Sequence, residues 1–380
     1  MGSSPKASHP ARRKVLLLGS AAQSLTNFRG PLIAAMVQRG HAVFAAAPDI
    51  DPDTAAKLVG LGATPVPVVL GRTSLDPLAT WRSARQLRAM VREIAPDVMI
   101  AYTIKPVLLG AAAAKAARVP FFAAMITGLG YAFLGGLNPK RLAVRLVAML
   151  MYRRALAASR LVIFQNEDDR NDFRRMRLLP AAKPTIVVNG SGVDLEHFAP
   201  EPVPSATVFL MIARFLRDKG IREYGAAAAR LKAEFPEVKV RLAGLLDGAD
   251  SISQAELDSM VAAGVENLGL LADVRPAIAA SSVYVLPSYR EGTPRTVLEA
   301  MAVGRAVITT DAPGCRNTVE DGENGLLVPV RDSDSLYAAM RRFVLEPSLA
   351  ERMGAASLRL VREKFDVHKV NAAILEATGL

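Results

Sequence analysis

Glu291 and Glu299 bracket the stretch Glu291-Gly-Thr-Pro-Arg-Thr-Val-Leu-Glu299, which follows the apolar run Val283 to Ser288 and leads into Ala300-Met-Ala-Val-Gly304. The pattern predicts a strand, a short polar turn and a helix, with Pro294 at the first helical position. Backbone N–H groups at a helix start are unpaired and carry partial positive charge, so they can hold a diphosphate. One acid before the helix and one inside it could grip the two ends of a ligand whose middle is anionic. Taken alone, two such glutamates do no more than offset the helix dipole. Their separation decides between chemistries. Eight helical residues span about 12 Å, whereas paired-acid hydrolysis of a glycosidic bond needs carboxyls about 5–9.5 Å apart. The pair therefore reads as a ligand clamp and not as an acid/base dyad.

The clamp needs cations, and a second motif supplies them. Phe209-Leu-Met-Ile-Ala213 ends at Arg214-Phe-Leu-Arg-Asp-Lys219-Gly220. This places Arg214 at the C-terminal end of a strand and Lys219 near the start of the next helix. Two cations at the mouth of a sheet can neutralise a diphosphate. Singly, each would be an ordinary solvated side chain. Their expected place at the same end of the same sheet as the Glu291 turn is what joins them to it.

The elements that must hold these residues alternate. The N-terminal half reads as strands Lys14–Leu18, His41–Ala46, Pro65–Val69, Asp97–Tyr102, Phe121–Met125, Leu161–Phe164 and Thr185–Val188, with helices Pro31–Arg39, Thr54–Leu61, Pro77–Ile94 and Val107–Arg118 between them. Glu201-Pro-Val-Pro-Ser-Ala206 is the best linker. A second series follows: strands Val208–Ile212, Lys239–Leu242, Val283–Leu286, Ala306–Thr309 and Gly325–Pro329, and helices Ile221–Phe235, Ser253–Ala263, Pro294–Val303 and Ser333–Val344. Leu349–Ala377 is helical and can fold back onto the first domain. The expectation is an α/β protein with two tandem doubly wound domains and a cleft between two sets of strand C-termini. Its parts are a disordered leader at 1–12, domains at 13–200 and 201–365, and a returning helix at 366–380.

Composition agrees with a well-buried fold. At 380 residues two domains are the natural division, and 51% hydrophobic with 22% charged residues excludes disorder. The single cysteine, Cys315, makes an intramolecular disulfide impossible and fits a cytosolic compartment. It is expected as a small buried or loop residue. The polar start and the short first apolar run, Val15 to Leu18, do not form a secretory signal, and the apolar region Ala111 to Leu137 is broken by Lys115, Arg118 and Pro120. Residues 1–200 hold 26 Lys and Arg against 12 Asp and Glu, while residues 201–380 hold 21 against 24. The net charge of +11 thus resides in the first half. It implies an anionic partner there: a membrane surface, a phosphorylated acceptor or nucleic acid.

Arg214 with Lys219-Gly220, the Glu-x7-Glu pair and Asn189-Gly-Ser-Gly-Val-Asp194 together resemble glycosyltransferase family 4, retaining enzymes of GT-B fold. Five further stretches resemble the bacterial subgroup that adds N-acetylhexosamines to polyprenyl-diphosphate sugars. They are Asn27-Phe-Arg-Gly-Pro-Leu-Ile, Gly40-His-Ala-Val, Tyr102-Thr-Ile-Lys-Pro106, Met125-Ile-Thr-Gly-Leu-Gly-Tyr131 and Asp311-Ala-Pro-Gly-Cys-Arg316. The resemblance spans about residues 14–345. It implies that Arg214 and Lys219 bind the donor diphosphate, that Glu291 faces the donor sugar and that Glu299 holds the ribose hydroxyls. Gly292 and Thr293 would offer backbone N–H groups to phosphate, and Gly19 and Ser20 would approach it from the other domain. Arg214, Lys219 and Glu291 are the implied catalytic residues. Asn27, Arg29, Lys105 and Thr127 fall in the acceptor-side stretches. Asn317 departs from the subgroup, which carries Glu there.

Pro139 to Arg154 is a basic amphipathic stretch in which Leu142, Leu146, Met149 and Leu150 share one side, flanked by Arg141 and Arg145 with Lys140 nearby. It reads either as a helix in the headgroup region of a membrane or as a core helix with solvated arginines. Asp51-Pro-Asp53 and Asp332-Ser-Asp334 each precede a helix, so capping explains them better than a metal. No cofactor or metal is expected. Gly128 and Gly130 lack the spacing of a dinucleotide fingerprint. The expectation is a retaining transferase moving a sugar from a UDP-sugar to a polyprenyl-diphosphate-linked sugar, peripheral on the cytoplasmic face of the membrane, in bacterial glycan assembly. The alternatives are a soluble GT-B enzyme with a small acceptor or a UDP-sugar epimerase. A nucleic-acid binder comes last, because charge alone supports it and no reading motif is present.

Overall fold

A computed structural model describes residues 12–70, 77–129, 139–248 and 250–380, with side chains in two helices described only from Arg82 and Leu146 onward. The chain divides into two compact units, residues 1–188 with 370–380 and residues 189–369. The alternation read from sequence is realised in both.

In the first unit the strands are β1 (Lys14–Leu18), β2 (Ala42–Ala47), β3 (Thr64–Pro67), β4 (Val98–Tyr102), β5 (Phe121–Ile126), β6 (Leu161–Phe164) and β7 (Thr185–Val187). They form one parallel sheet in the order β3-β2-β1-β4-β5-β6-β7. Its helices are α1 (Ala22–Asn27), α2 (Gly30–Gln38), α3 (Pro52–Gly60), α4 (Pro77–Ile94), α5 (Ile104–Ala117), α6 (Pro139–Ala158) and α7 (Glu167–Arg175). Alternate residues of β1 enter different cores, as the two-residue strand period requires. Val15 and Leu17 join the cluster containing Leu25, Ile33 and Leu58, and Leu16 and Leu18 join that containing Val91, Val107 and Phe173. Helices therefore cover both faces, which explains why β1 and β4 are continuous apolar runs. Truncating a fully buried residue such as Ile100 to Ala would cost about 2–5 kcal/mol.

The second unit repeats the winding. Its strands β8 (Val208–Ile212), β9 (Lys239–Ala243), β10 (Val265–Gly269), β11 (Val283–Leu286), β12 (Ala306–Thr310) and β13 (Gly325–Val328) pair in parallel in the order β10-β9-β8-β11-β12-β13. Helices α8 (Ile221–Glu234), α9 (Gln254–Ala262), α10 (Arg275–Ala279), α11 (Arg295–Ala302), α12 (Ser333–Leu345) and α13 (Ser348–Leu360) accompany them. In each unit the sheet order reverses between its first and fourth strands, β1/β4 and β8/β11, and ligands of such sheets bind at the strand C-termini beside that switch point.

Three expectations change. The unit boundary lies at Val188/Asn189, not at the proline-rich 201–206. Arg305, fully buried, donates to the carbonyls of Glu201, Pro202, Ile278 and Ala279 at 3.0–3.1 Å, so the supposed linker is tied into the second unit. The helical tail is broken into α13, a π-helical turn at Val361–Phe365 and α14 (Val367–Thr378), and the break is stitched to Val193 by two backbone hydrogen bonds. Val370, Ile374, Leu375 and Leu380 pack in the same core as Val15 and Ile33 of the first unit.

Candidate functional site

The second unit assembles its motifs around the β8/β11 switch point. β8 ends at Ile212, whose backbone N–H and carbonyl both bond the hydroxyl of Tyr284 on β11, at 3.3 and 3.0 Å. Arg214 follows with an exposed side chain that forms no ion pair among the described residues. A 3-10 turn, Arg217–Lys219, then closes on Gly220 at φ 73°. A Cβ there would lie 2.2 Å from the Pro287 carbonyl oxygen, so only glycine lets this turn reach the end of β11. The close approach delivers Lys219 to its partner: Nζ donates to Glu291 Oε1 at 2.6 Å. The two side chains are 18% and 17% exposed, so the pair is largely withdrawn from water.

The Glu291 turn is held from three sides. Tyr289 N–H donates to the Asp218 carbonyl at 2.8 Å, the Thr310 hydroxyl donates to the Ser288 carbonyl, and Glu291 N–H donates to the Pro313 carbonyl at 3.0 Å. Gly314, at φ 79°, packs so tightly that a Cβ would sit 2.1 Å from the Glu291 carbonyl oxygen. Asn189-Gly-Ser-Gly lies against the same turn, since a Cβ on Gly190 would meet Thr293 Cβ at 2.7 Å. Pro294 caps the helix in extended conformation instead of occupying its first turn, and α11 begins at Arg295. Cys315 is buried, and burial followed by the Glu291 charge pushes its thiol up to about 12, so it is inert.

Glu299 is 7% exposed, and Arg295 Nε donates to its Oε1 at 2.8 Å. Burial raises the carboxyl above its ordinary value and the Arg295 guanidinium partly offsets this. Arg295 is not among the residues that the sequence motifs single out. Its signal was present in the four-residue spacing to Glu299, which places the two on one helix face. Arg214, Lys219, Glu291, Gly292, Thr293 and Glu299 thus all follow strand C-termini around one switch point, joined by Arg295 and by the Gly190 backbone. Asn317 is exposed, in the 3-10 turn Arg316–Thr318.

In the first unit Gly19 and Ser20 close β1 at its C-terminal end, with Gly19 N–H donating to the Ala46 carbonyl at 2.9 Å. A Cβ on Gly19 would fall 2.3 Å from the Tyr102 hydroxyl. Tyr102 is buried at the end of β4, and its hydroxyl lies 2.7 Å from Ser24 Oγ. The Ser24 proton goes to the Ala21 carbonyl at 2.6 Å, so Tyr102 is the donor to Ser24. Arg29, expected on the acceptor side, is only 3% exposed and packs its guanidinium 5.1 Å from the Tyr102 ring centre, which removes it from a membrane-facing role. Thr103 caps α5 at φ 68° and ψ 164°, a region that a β-branched residue occupies at about 1–3 kcal/mol of strain. Lys105 lies in the first turn of α5, where burial pushes its ammonium down. Thr127 follows β5 and is partly buried, and Asn27 is exposed at the end of α1. Lys140, Arg141 and Arg145 belong to the first turns of α6, where side chains lie outside the described residues.

Both Asp-x-Asp triplets cap helices. Asp51 accepts from Thr54 N–H at 2.8 Å, and Asp332 accepts from Asp334 and Ser335 N–H at 3.0 and 2.9 Å. Among the described residues no three His, Cys, Asp or Glu side chains gather as a metal site requires. No helix among them is long and apolar enough to cross a membrane.

Residues 28–190 match the family model described as a glycosyl transferase 4-like domain, and residues 206–346 that described as glycosyl transferases group 1. The N,N'-diacetylbacillosaminyl-diphospho-undecaprenol alpha-1,3-N-acetylgalactosaminyltransferase of Campylobacter jejuni is 28% identical over 338 residues, which take in 85% of this chain and 87% of that protein. The UDP-Gal:alpha-D-GlcNAc-diphosphoundecaprenol alpha-1,3-galactosyltransferase of Escherichia coli is 28% identical over 73% of each chain. The crystal structure of Anabaena HepE in complex with UDP and glucose matches at a TM-score of 0.79 and 20% identity, over 96% of this chain and 99% of that one. At that identity the likeness is one of fold, with two parallel-sheet Rossmann-like domains.

Proposed function

We propose a single reaction for this chain, which belongs to the glycosyltransferases of GT-B fold, with a 4-like domain followed by a group 1 domain. It moves a sugar, an N-acetylhexosamine in our reading, from a UDP-sugar to a polyprenyl-diphosphate-linked sugar, with retention of anomeric configuration and without a metal. Relatives whose names specify undecaprenyl-diphosphate-linked acceptors, one of them with a UDP-galactose donor, support the substrate class. The observation that carries the residue assignment is the Lys219–Glu291 ion pair beside the α11 N-terminus, with Arg214 following the neighbouring strand.

In the reaction the C1–O bond to the UDP diphosphate breaks and an acceptor oxygen bonds to C1. UDP is already a good leaving group, so positioning and charge stabilisation are the protein's main tasks. Lys219 and Arg214 would take the charge that grows on the departing diphosphate, in place of a metal. The N–H groups of Gly292 and Thr293 would hold its oxygens. Glu291 would orient the sugar, and Glu299, held in place by its hydrogen bond from Arg295, would accept from the ribose hydroxyls. Gly19 and Ser20 would offer main-chain contact to the diphosphate. Attack on the departing face, with a donor phosphate oxygen taking the acceptor proton, accounts for retention without a protein nucleophile. The enzyme would work peripherally at the cytoplasmic membrane face in glycan assembly, and nucleic acid is not a partner.

The test is a panel of UDP-sugars offered with an undecaprenyl-diphosphate-linked sugar, with product mass and anomeric configuration read out and EDTA present in one arm. The reading expects α-linked product on the lipid acceptor whether or not EDTA is added. Transfer confined to a soluble acceptor, an inverted product or activity abolished by EDTA would each overturn the corresponding clause.

A further inference from the structure

Between the C-terminal halves of α5 and α6 runs a groove of about 1010 Å³ that belongs to no part of the site above. Leu108, Phe122, Met151 and several alanines form an apolar floor. Lys115, Arg118, Arg154 and Arg160 stand around it, all exposed, and none pairs with a carboxylate among the described residues. Because α5 and α6 run antiparallel to the strands they join, the groove lies at the strand N-termini. That is the opposite end of the sheet from Gly19, Ser20 and Thr103.

Local helix physics explains only part of this. The macrodipoles of α5 and α6 favour cations near their C-terminal ends, which accounts for the placing of the charges but for none of the apolar floor. Arg118 ends α5 at φ 56°, the left-handed conformation that glycine adopts there without strain. A charged side chain thus stands where the backbone favours none. Beside the groove α6 exposes Leu146, Val147, Leu150 and Met151, two pairs four residues apart and so on one helix face. Between Asp97 and Glu167 the sequence holds nine Lys and Arg and no Asp or Glu.

We propose that this groove and the neighbouring ridge are a docking surface for an anionic phospholipid bilayer. The four cations donate to headgroup phosphates while the α6 ridge enters the acyl boundary. Charge selects this occupant over a second copy of the chain, because a two-fold contact would set the same four cations against themselves. The twenty residues of α6 span about 30 Å. A bilayer lying along the helix would therefore reach from the groove to the opposite end of the sheet, where the helix begins with Lys140 and Arg141. The inference adds a surface to the proposed membrane-face reaction and does not depend on which sugar is moved.

The full chain is tested by co-sedimentation with vesicles of phosphatidylcholine alone or mixed with phosphatidylglycerol, at low and high salt. Binding is expected only to the anionic vesicles and should weaken in high salt. Near an anionic surface each cation contributes about fivefold in partitioning, so Arg154→Gln with Arg160→Gln should lower it about 25-fold. Leu146→Gln with Leu150→Gln tests the ridge separately and should also lower it. Thermal unfolding checks that each variant is folded, and transfer to a short-chain soluble acceptor should stay at the wild-type rate. Equal binding to neutral vesicles, or undiminished binding by both folded double variants, would overturn the proposal while leaving the transfer reaction standing. So would light scattering that shows a wild-type dimer which the same variants dissociate.

Discussion

Replacing Lys219 by Ala separates a catalytic cation from a structural one, because the ion pair with Glu291 allows either. If Lys219 serves only to hold the turn, its loss appears in stability. The pair is less than one-fifth exposed. Its worth therefore falls between the roughly 0–1 kcal/mol of surface pairs and the roughly 3–5 kcal/mol lost when a fully buried pair is broken. About 1–2 kcal/mol, or a Tm drop of about 2–8 °C for a unit of this size, is the structural share. If Lys219 also meets charge developing on the leaving diphosphate, kcat falls by a further 10²–10³-fold, about 3–4 kcal/mol. Steady-state release of UDP gives the kinetic effect, and thermal unfolding gives the structural one. Glu291→Gln completes the comparison. Removing the carboxylate that competes for Lys219 should leave UDP affinity by calorimetry equal to or above that of wild type while turnover drops. A Lys219→Ala enzyme that loses several degrees of Tm but less than about tenfold in kcat/KM would refute the assignment, as would a Glu291→Gln enzyme that binds UDP as poorly as Lys219→Ala.

Glu299→Gln should weaken UDP binding by about 10- to 100-fold, the equivalent of about 1.5–3 kcal/mol for hydrogen bonds to a charged group, as read by calorimetry. Burial raises the folded Glu299 carboxyl above its ordinary 4.5, so the folded state binds that proton more tightly than the unfolded state. The resulting stability is complete below pH 4.5 and is lost as pH rises through the folded value. Urea titrations should show wild type losing stability across that window, and the glutamine variant should not. Tyr102→Phe removes the donor to Ser24 while keeping the ring beneath Arg29. Donor KM is expected to rise severalfold at nearly constant kcat and about 1 kcal/mol of stability to be lost; an unchanged KM would detach Tyr102 from the Gly19 loop's function. His41 is buried, and burial followed by Arg13 and Arg39 holds its imidazole below 6.5. The folded state therefore prefers the neutral ring, and the stability is full above pH 6.5 and falls as the pH drops through the folded value. Thermal unfolding should show this acid sensitivity in wild type and its loss in His41→Gln.

Legibility from sequence followed the range of the interaction. The strand, turn and helix around Glu291 were readable because an apolar run, a proline and a helical period sit next to one another in the chain. The two-unit winding was readable for the same reason, repeated. Lys219 and Glu291 were both named, but their pairing was not, since it depends on Gly220 meeting Pro287 across the switch point. The Tyr102–Ser24 bond joins residues 78 positions apart and left no local trace. β10 went unread because Val265-Glu-Asn-Leu-Gly buries only its first residue, on the edge of the sheet. α7 went unread because Glu167-Asp-Asp-Arg-Asn-Asp-Phe-Arg-Arg has one apolar side chain to pattern. The prolines after Glu201 marked a linker that Arg305, a hundred residues later, binds into the second unit. Burial, only partly offset by the Glu201 charge, holds that guanidinium down to about 10.

The return of residues 370–380 to the first core has a bearing on how the chain is made. Val370, Ile374 and Leu375 complete an apolar cluster begun by Val15, and Arg39 donates to the Leu380 carbonyl at 2.5 Å. On a ribosome these residues follow the rest of that unit by about 180 positions, or about 10–40 s at about 5–20 residues per second. For that interval the nascent first unit carries an uncovered apolar strip on one face of its sheet, until residues 370–380 emerge and close it.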